Sequence, residues 1–116
     1  MIINEREKPN CRGYAFAKLG IIQKEVNIES GCLKDFPFVE VKESKAIAIG
    51  VLMTDGEGAE PELMHIMIID NNDRQYVWHR PDTGEEPVRE SISLALVPYS
   101  DYPYSEYSRI VYLGRK

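Results

Sequence analysis

Two apolar segments dominate the hydropathy pattern of this chain: Lys45 to Met53 (KAIAIGVLM) and Leu63 to Asp70 (LMHIMIID). Both have strand length and are apolar on successive residues, the pattern of strands covered on both faces of a sheet. Gln75 to His79 is rich in aromatic and β-branched types that suit a pleated surface. Between the second and third segments stand Asp70, Asn71, Asn72 and Asp73, all turn formers, so the pair predicts a β-hairpin. A loop of residues 71–73 sets Asp70 against Arg74 and brings His65 opposite His79 on one face. A two-residue loop sets His65 opposite Arg80 instead.

The remaining elements are shorter. Asn10 is a good N-cap, the run CRGYAFAKLG is Ala-rich, and Gly20 is a stop signal, which predicts a helix over Asn10 to Gly20. Gly13 weakens that helix by about 1 kcal/mol but allows close approach of backbone or ligand. Ile21 to Ser30 fits a second short helix or an irregular strand, and Gly50 marks a bulge or a close approach within its strand. Asp35 to Val41 alternates and contains Pro37, which suits a sheet edge. Val88 to Val97 satisfies both a strand and a helix pattern, Tyr99 to Tyr107 reads as a Tyr-rich loop, and Ser108 to Gly114 as a last strand. Thr54 to Glu62 and Pro81 to Pro87 are turn-rich connections. The expected fold class is α+β, one domain over residues 1–116, with an N-terminal helix packed on a small antiparallel sheet.

Composition narrows the function classes. With 43% hydrophobic and 28% charged residues the chain has globular rather than disordered composition. A net charge of −5 with scattered Lys and Arg speaks against a nucleic-acid partner. No apolar run reaches the roughly 20 residues of a bilayer span, so no membrane partner is expected. The charged start MIINEREKPN is no secretory signal, so a cytoplasmic location as synthesised is expected, with export only by a non-classical route. Two cysteines without such a signal are expected as free thiols, and no spacing suggests a metal or other cofactor.

Chemistry gathers at three residues. Cys11 lies in the first turn of the predicted helix, where the helix dipole and exposed N–H groups favour a thiolate. The alternative for it is an inert packing cysteine, and for Cys32 packing is the expected role. The chain's only two histidines, His65 and His79, fall at the open ends of the hairpin strands. A helix-borne Cys followed by two His supplies a nucleophile, a base and a group to orient the base.

NCRGYAF, MHIMIID and YVWH, in that order and approximate spacing, resemble the papain-like NlpC/P60 and CHAP class of cysteine peptidases and amidases. The resemblance implies a papain-like core, with Cys11 as nucleophile, His65 as base and then acid, and His79 fixing the His65 tautomer. Gly13, Tyr14, Trp78, Tyr102 and Tyr104 are the substrate contacts expected on that reading. The substrate class it implies is a peptide or peptidoglycan-like amide, cleaved without a cofactor. A Cys11 thiolate paired with protonated His65 would titrate below the reference value of about 8.5. The chain departs from the pattern in NCRG and ESKA, and nothing before Cys11 matches the upstream Tyr that supports the oxyanion hole in many members, leaving that role to the Cys11 backbone N–H. The competing reading is a non-catalytic binding or immunity-type module that recognises a protein partner through the Tyr-rich loop.

Overall fold

The computed structural model describes residues 1–54, 60–101 and 104–116. It is a compact α+β fold built on antiparallel sheets. In chain order the elements are β1 (Ile3–Asn4), α1 (Cys11–Lys18), β2 (Asn27–Ile28), β3 (Phe38–Glu40), β4 (Ala48–Met53), β5 (Glu62–Ile69) and β6 (Tyr76–His79). They continue with β7 (Val88–Ser91), α2 (Ile92–Ala95), α3 (Val97–Ser100), α4 (Tyr104–Tyr107) and β8 (Ser108–Arg115). Strands β1 and β2 form a small ribbon, and the other six make one sheet in the order β3-β8-β4-β5-β6-β7. The two segments with no polar alternation become the central strands β4 and β5, buried almost throughout.

Both faces of the sheet are covered, which is what a doubly apolar strand requires. On one face Ala15 and Phe16 of α1 pack with Ile28, Phe36 and Phe38 against Leu52, Ile66, Ile68 and Leu113. On the other, Ala95 of α2, with Ile92, Leu96 and Tyr99, covers Ile49, Val51, Met67, Ile69 and Val77. The ambiguous stretch from Val88 to Val97 is thus divided: its first four residues extend the sheet as β7 and the rest turn into α2 under a Ser91 cap. The Tyr-rich stretch is not the continuous loop expected, since α3 and α4 occupy parts of it.

Helix α1 begins and ends where its punctuation predicts. The Asn10 side chain accepts from Gly13 N, and Gly20 takes the left-handed conformation (φ 76°) just past the end. Gly20 N donates to Ala17 O and Ile21 N to Phe16 O, the pairing of a glycine-terminated helix.

The hairpin is real, but its register differs from the one expected. Ile68 pairs with Trp78 and Ile69 with Val77. Asp70 N donates to Tyr76 O, so the loop spans 71–75 rather than 71–73. The cause is two side-chain turns in series: Asp70 Oδ1 accepts from Asn72 N and Asp73 Oδ1 from Gln75 N, each replacing a backbone turn. The shift is two residues, and because side chains alternate with period two it leaves His65 and His79 on the same face. They become diagonal neighbours instead of a directly opposed pair.

A second irregularity lies in β5. Val51 pairs with His65 but Leu52 with Leu63, which leaves Met64 as the extra residue of a β-bulge.

The space beside Gly13 is closed. A Cβ there would lie 1.5 Å from the Val26 carbonyl oxygen, whereas a Cβ on Gly20 meets nothing within 4 Å. Gly13→Ala should therefore cost more than about 3 kcal/mol, because backbone must move. Gly20→Ala should cost only about 1–2 kcal/mol, the penalty of a left-handed L-residue. Urea unfolding midpoints of the two variants test this ordering.

Candidate functional site

The bulge and the hairpin register together place the chemistry. β6 pairs with β5 at Ile68 and Ile69 and ends at His79. Beyond that pairing, nearer the start of β5, the N-terminus of α1 meets the strand. Asn10, only 4% exposed, holds it there: its Oδ1 accepts from Gly13 N (3.0 Å) and Ile28 N (3.2 Å), and its Nδ2 donates to Ile28 O (2.8 Å). One amide thus caps the helix and ties it to β2.

Cys11 follows directly, a free cysteine buried at the strand. Its thiol donates to Met64 O at 3.5 Å, the carbonyl of the bulged residue. Arg12 spreads over the same point, with Nε donating to Ile28 O (2.7 Å), Nη1 to Met64 O (2.6 Å), and Nη1 lying 3.7 Å from Cys11 Sγ.

On the α2 face of the sheet three side chains run diagonally across three strands. His65 Nε2 meets His79 Nδ1 at 2.8 Å, and His79 Nε2 meets Glu90 Oε2 at 2.7 Å. Glu90 reaches His79 because Val77 pairs with Glu90, which puts the carboxylate on the Val77 and His79 side of the sheet. Both imidazoles are 4% exposed. Tyr99 of α3 stacks on the His65 ring, with centroids 5.8 Å apart and planes at 29°.

The tautomers follow from Glu90. A carboxylate only accepts, so His79 Nε2 carries a hydrogen and donates to it. In the arrangement where Nδ1 of His79 accepts from His65 Nε2–H, His65 Nδ1 is left as the basic nitrogen. The carboxylate at one end of the line decides which nitrogen at the other end can take a proton.

His65 borders two cavities, each of about 260 Å³. Cys11, Arg12 and Asp82 share the first, and His79 and Glu90 line the second. Pro81, Asp82 and Tyr99 border both, so the ring of His65 stands at the partition. Arg80, 8% exposed, anchors this rim by donating to Glu25 Oε1 (2.7 Å) and to the Glu85 carbonyl.

Electrostatics correct the expected acidic thiol. Burial pushes the Cys11 thiol up, and Arg12 with the backbone N–H groups of Ile66, Arg12 and Cys11 offset only part of that. His65 is pushed down to about 3, chiefly by burial, then by His79 and Arg12. The resting pair is a neutral thiol and a neutral imidazole rather than an ion pair.

The structure therefore brings His65 and His79 into contact and sets Cys11 on a shared cavity with His65. Of the expected substrate contacts, Gly13, Tyr14 and Trp78 fall elsewhere. Val26 fills the space at Gly13, and Tyr14 is buried near the charges of Glu25 and Arg80. Trp78 borders a separate cavity with Lys18, whose ammonium lies 4.9 Å from the Trp78 ring. Tyr102 and the Tyr104 side chain lie outside the described residues. Arg12 and Glu90 were not anticipated, while Tyr99 opens the Tyr-rich stretch expected to recognise a partner; the one signal in the sequence for Glu90 was the strand half of the Val88 to Val97 pattern.

Among the described residues, no group of three or more His, Cys, Asp or Glu is arranged to hold a metal ion. No helix there is long and apolar enough to cross a membrane. No protein-family profile, curated protein or solved structure matches this chain.

The depressed pKa of His65 makes stability depend on acid. Unfolding returns the ring toward its ordinary value of 6.5, so between about 3 and 6.5 the unfolded chain binds more protons. Stability should rise with pH through that window and fall as the solution is acidified. Chemical denaturation at stepped pH should show this slope in the wild type and a shallower one in His65→Gln; equal slopes would contradict the assignment.

Proposed function

We propose that this protein is a cysteine-dependent amide hydrolase of papain-like type, with Cys11 as nucleophile and His65 as the proton carrier. The observation that carries the reading is the hydrogen-bonded line from His65 through His79 to Glu90, ending beside the cavity that Cys11 borders. Two buried imidazoles and a carboxylate in series are costly to bury, yet they fix one nitrogen as a base. The resemblance of NCRGYAF, MHIMIID and YVWH to NlpC/P60 and CHAP enzymes supports the same roles and suggests a peptide or cell-wall peptide amide as substrate.

In this reading the thiol rotates from Met64 O toward His65 Nδ1 as a carbonyl enters the cavity. Sulfur bonds to the carbonyl carbon while the thiol proton passes to Nδ1. The new imidazolium keeps its Nε2–H on His79, whose other nitrogen rests on Glu90, so the positive charge forms next to a preorganised acceptor chain. His65 then hands the proton to the departing nitrogen, and water cleaves the thioester with His65 as base again. Because thiol and imidazole rest neutral, proton transfer accompanies attack instead of preceding it.

The second reading is a non-catalytic module, which the burial of the Cys11 thiol favours. A panel of peptide and muropeptide amides, followed by mass spectrometry for an acyl adduct on Cys11, separates the two. Hydrolysis should vanish in Cys11→Ala and fall by about 10²–10⁴ in His65→Ala, the worth of a general acid–base. Glu90→Ala and His79→Ala should reduce kcat/KM by less, since they orient and do not transfer the proton. No hydrolysis and no adduct with any panel member would sink the hydrolase reading.

A further inference from the structure

We propose that Arg12 is the oxyanion-binding residue of this site: its Nη1 hydrogen bonds the negative oxygen that forms when Cys11 Sγ attacks a carbonyl. The inference rests on the hydrolase reading for its reaction, but on separate geometry for its residue.

Three observations lead there. First, Arg12 is held, not splayed into solvent. Its Nε donates to Ile28 O at 2.7 Å and Nη1 to Met64 O at 2.6 Å, two backbone carbonyls that fix the guanidinium plane. Second, Met64 is the extra residue of the β5 bulge, so the irregularity in the strand supplies the carbonyl that aims the side chain. Third, Nη1 carries two hydrogens. One is used on Met64 O, and the same nitrogen lies 3.7 Å from Cys11 Sγ. From this position the donor can reach hydrogen-bond distance, roughly 2.7–3.1 Å, of an oxygen on a carbon bonded to that sulfur when the oxygen is turned toward Arg12. Arg12 also borders the Cys11 cavity, so a substrate in it meets the guanidinium.

The step balances simply. Sγ forms a bond to the carbonyl carbon, the C=O π pair moves to oxygen, and the thiol proton goes to His65. The Nη1 hydrogen directed at sulfur is then free to serve the oxyanion. When that pair returns, the C–N bond breaks and nitrogen leaves with the His65 proton. The other titratable groups facing the cavity are Asp82, His65 and Tyr99, from the loop after β6, from β5 and from α3. Asp82 is the acid among them, so among the side chains facing the cavity Arg12 is the one whose charge favours an anion at Cys11, and the R12Q comparison separates it from the backbone N–H groups of α1.

Alkylation tests the assignment without a substrate. Iodoacetate and neutral iodoacetamide differ only in a carboxylate that lands beside the sulfur, where the oxyanion would form. In a Cys32→Ser background, so that Cys11 alone reacts, the rate ratio of iodoacetate to iodoacetamide should exceed that of N-acetylcysteinamide by at least five-fold. R12Q should bring it down to the small-molecule value, and R12K should keep part of it. On any amide the wild type cleaves, R12Q should lower kcat with KM little changed. A wild-type ratio no higher than that of the free thiol, a measurement that needs no variant to fold, overturns the proposal. So does an unchanged ratio in folded R12Q. A raised ratio in a protein that hydrolyses no amide leaves Arg12 standing and removes only the hydrolase reading.

Discussion

The site depends on one buried amide. Asn10 caps α1 through Oδ1, and the same side chain exchanges hydrogen bonds with the N–H and C=O of Ile28. An N-cap alone is worth about 1 kcal/mol; here its loss would also strand the Ile28 N–H in a buried place. What Asn10 secures is position. Helix and ribbon become one body, Val26 O fits against Gly13, and Cys11 and Arg12 are delivered to the bulge at Met64. The covalent neighbour of the cap is the thiol, so any slack in the cap would be felt directly at sulfur.

Against that fixed thiol the protein sets a polar line in an otherwise apolar layer. His65 and His79 lie on the side of the sheet occupied by Met67, Ile69 and Val77. Each donor in the line has one acceptor, and the carboxylate of Glu90, at the more exposed end, closes it. Such a series is sensitive as a whole, since removing one member leaves a buried neighbour unsatisfied. Burial also explains why thiol and imidazole both rest neutral: with little water at hand, the charged form of either is disfavoured.

The parts legible in the sequence were those written in local chemistry. The Asn10 cap and Gly20 stop marked α1 within a residue or two, and the unbroken apolar runs marked β4 and β5. The shared face of His65 and His79 was also legible, because period-two alternation survives an even shift in register. The register itself was not, since whether Asp70 and Asp73 each hold a backbone N–H two residues on is decided only in the folded loop. Glu90 was hidden because VRES carries no catalytic spacing and gains meaning only by pairing with β6. Arg12 was hidden for a similar reason: its target, the Met64 carbonyl, is exposed by a bulge that the apolar run around it does not announce. The acidity of Cys11 was misjudged because a helix N-terminus was weighed without the burial that outweighs it.

The strand order bears on when such a site can exist. β8 follows every other element in the chain, yet it lies between β3 and β4, pairing with β4 from Ala48↔Leu113 to Met53↔Ser108. Until residues 108–115 have left the ribosome, one flank of β4 is open and the layer of Val111 and Leu113 beneath α1 is missing. β3 meanwhile has no partner to hold it to the sheet. The hairpin of β5 and β6 can form early, being local, but the surface that receives the Cys11 helix cannot. A chain without residues 108–115 therefore holds Cys11 as an ordinary cysteine, and its setting against β5 is complete only once β8 has joined the sheet.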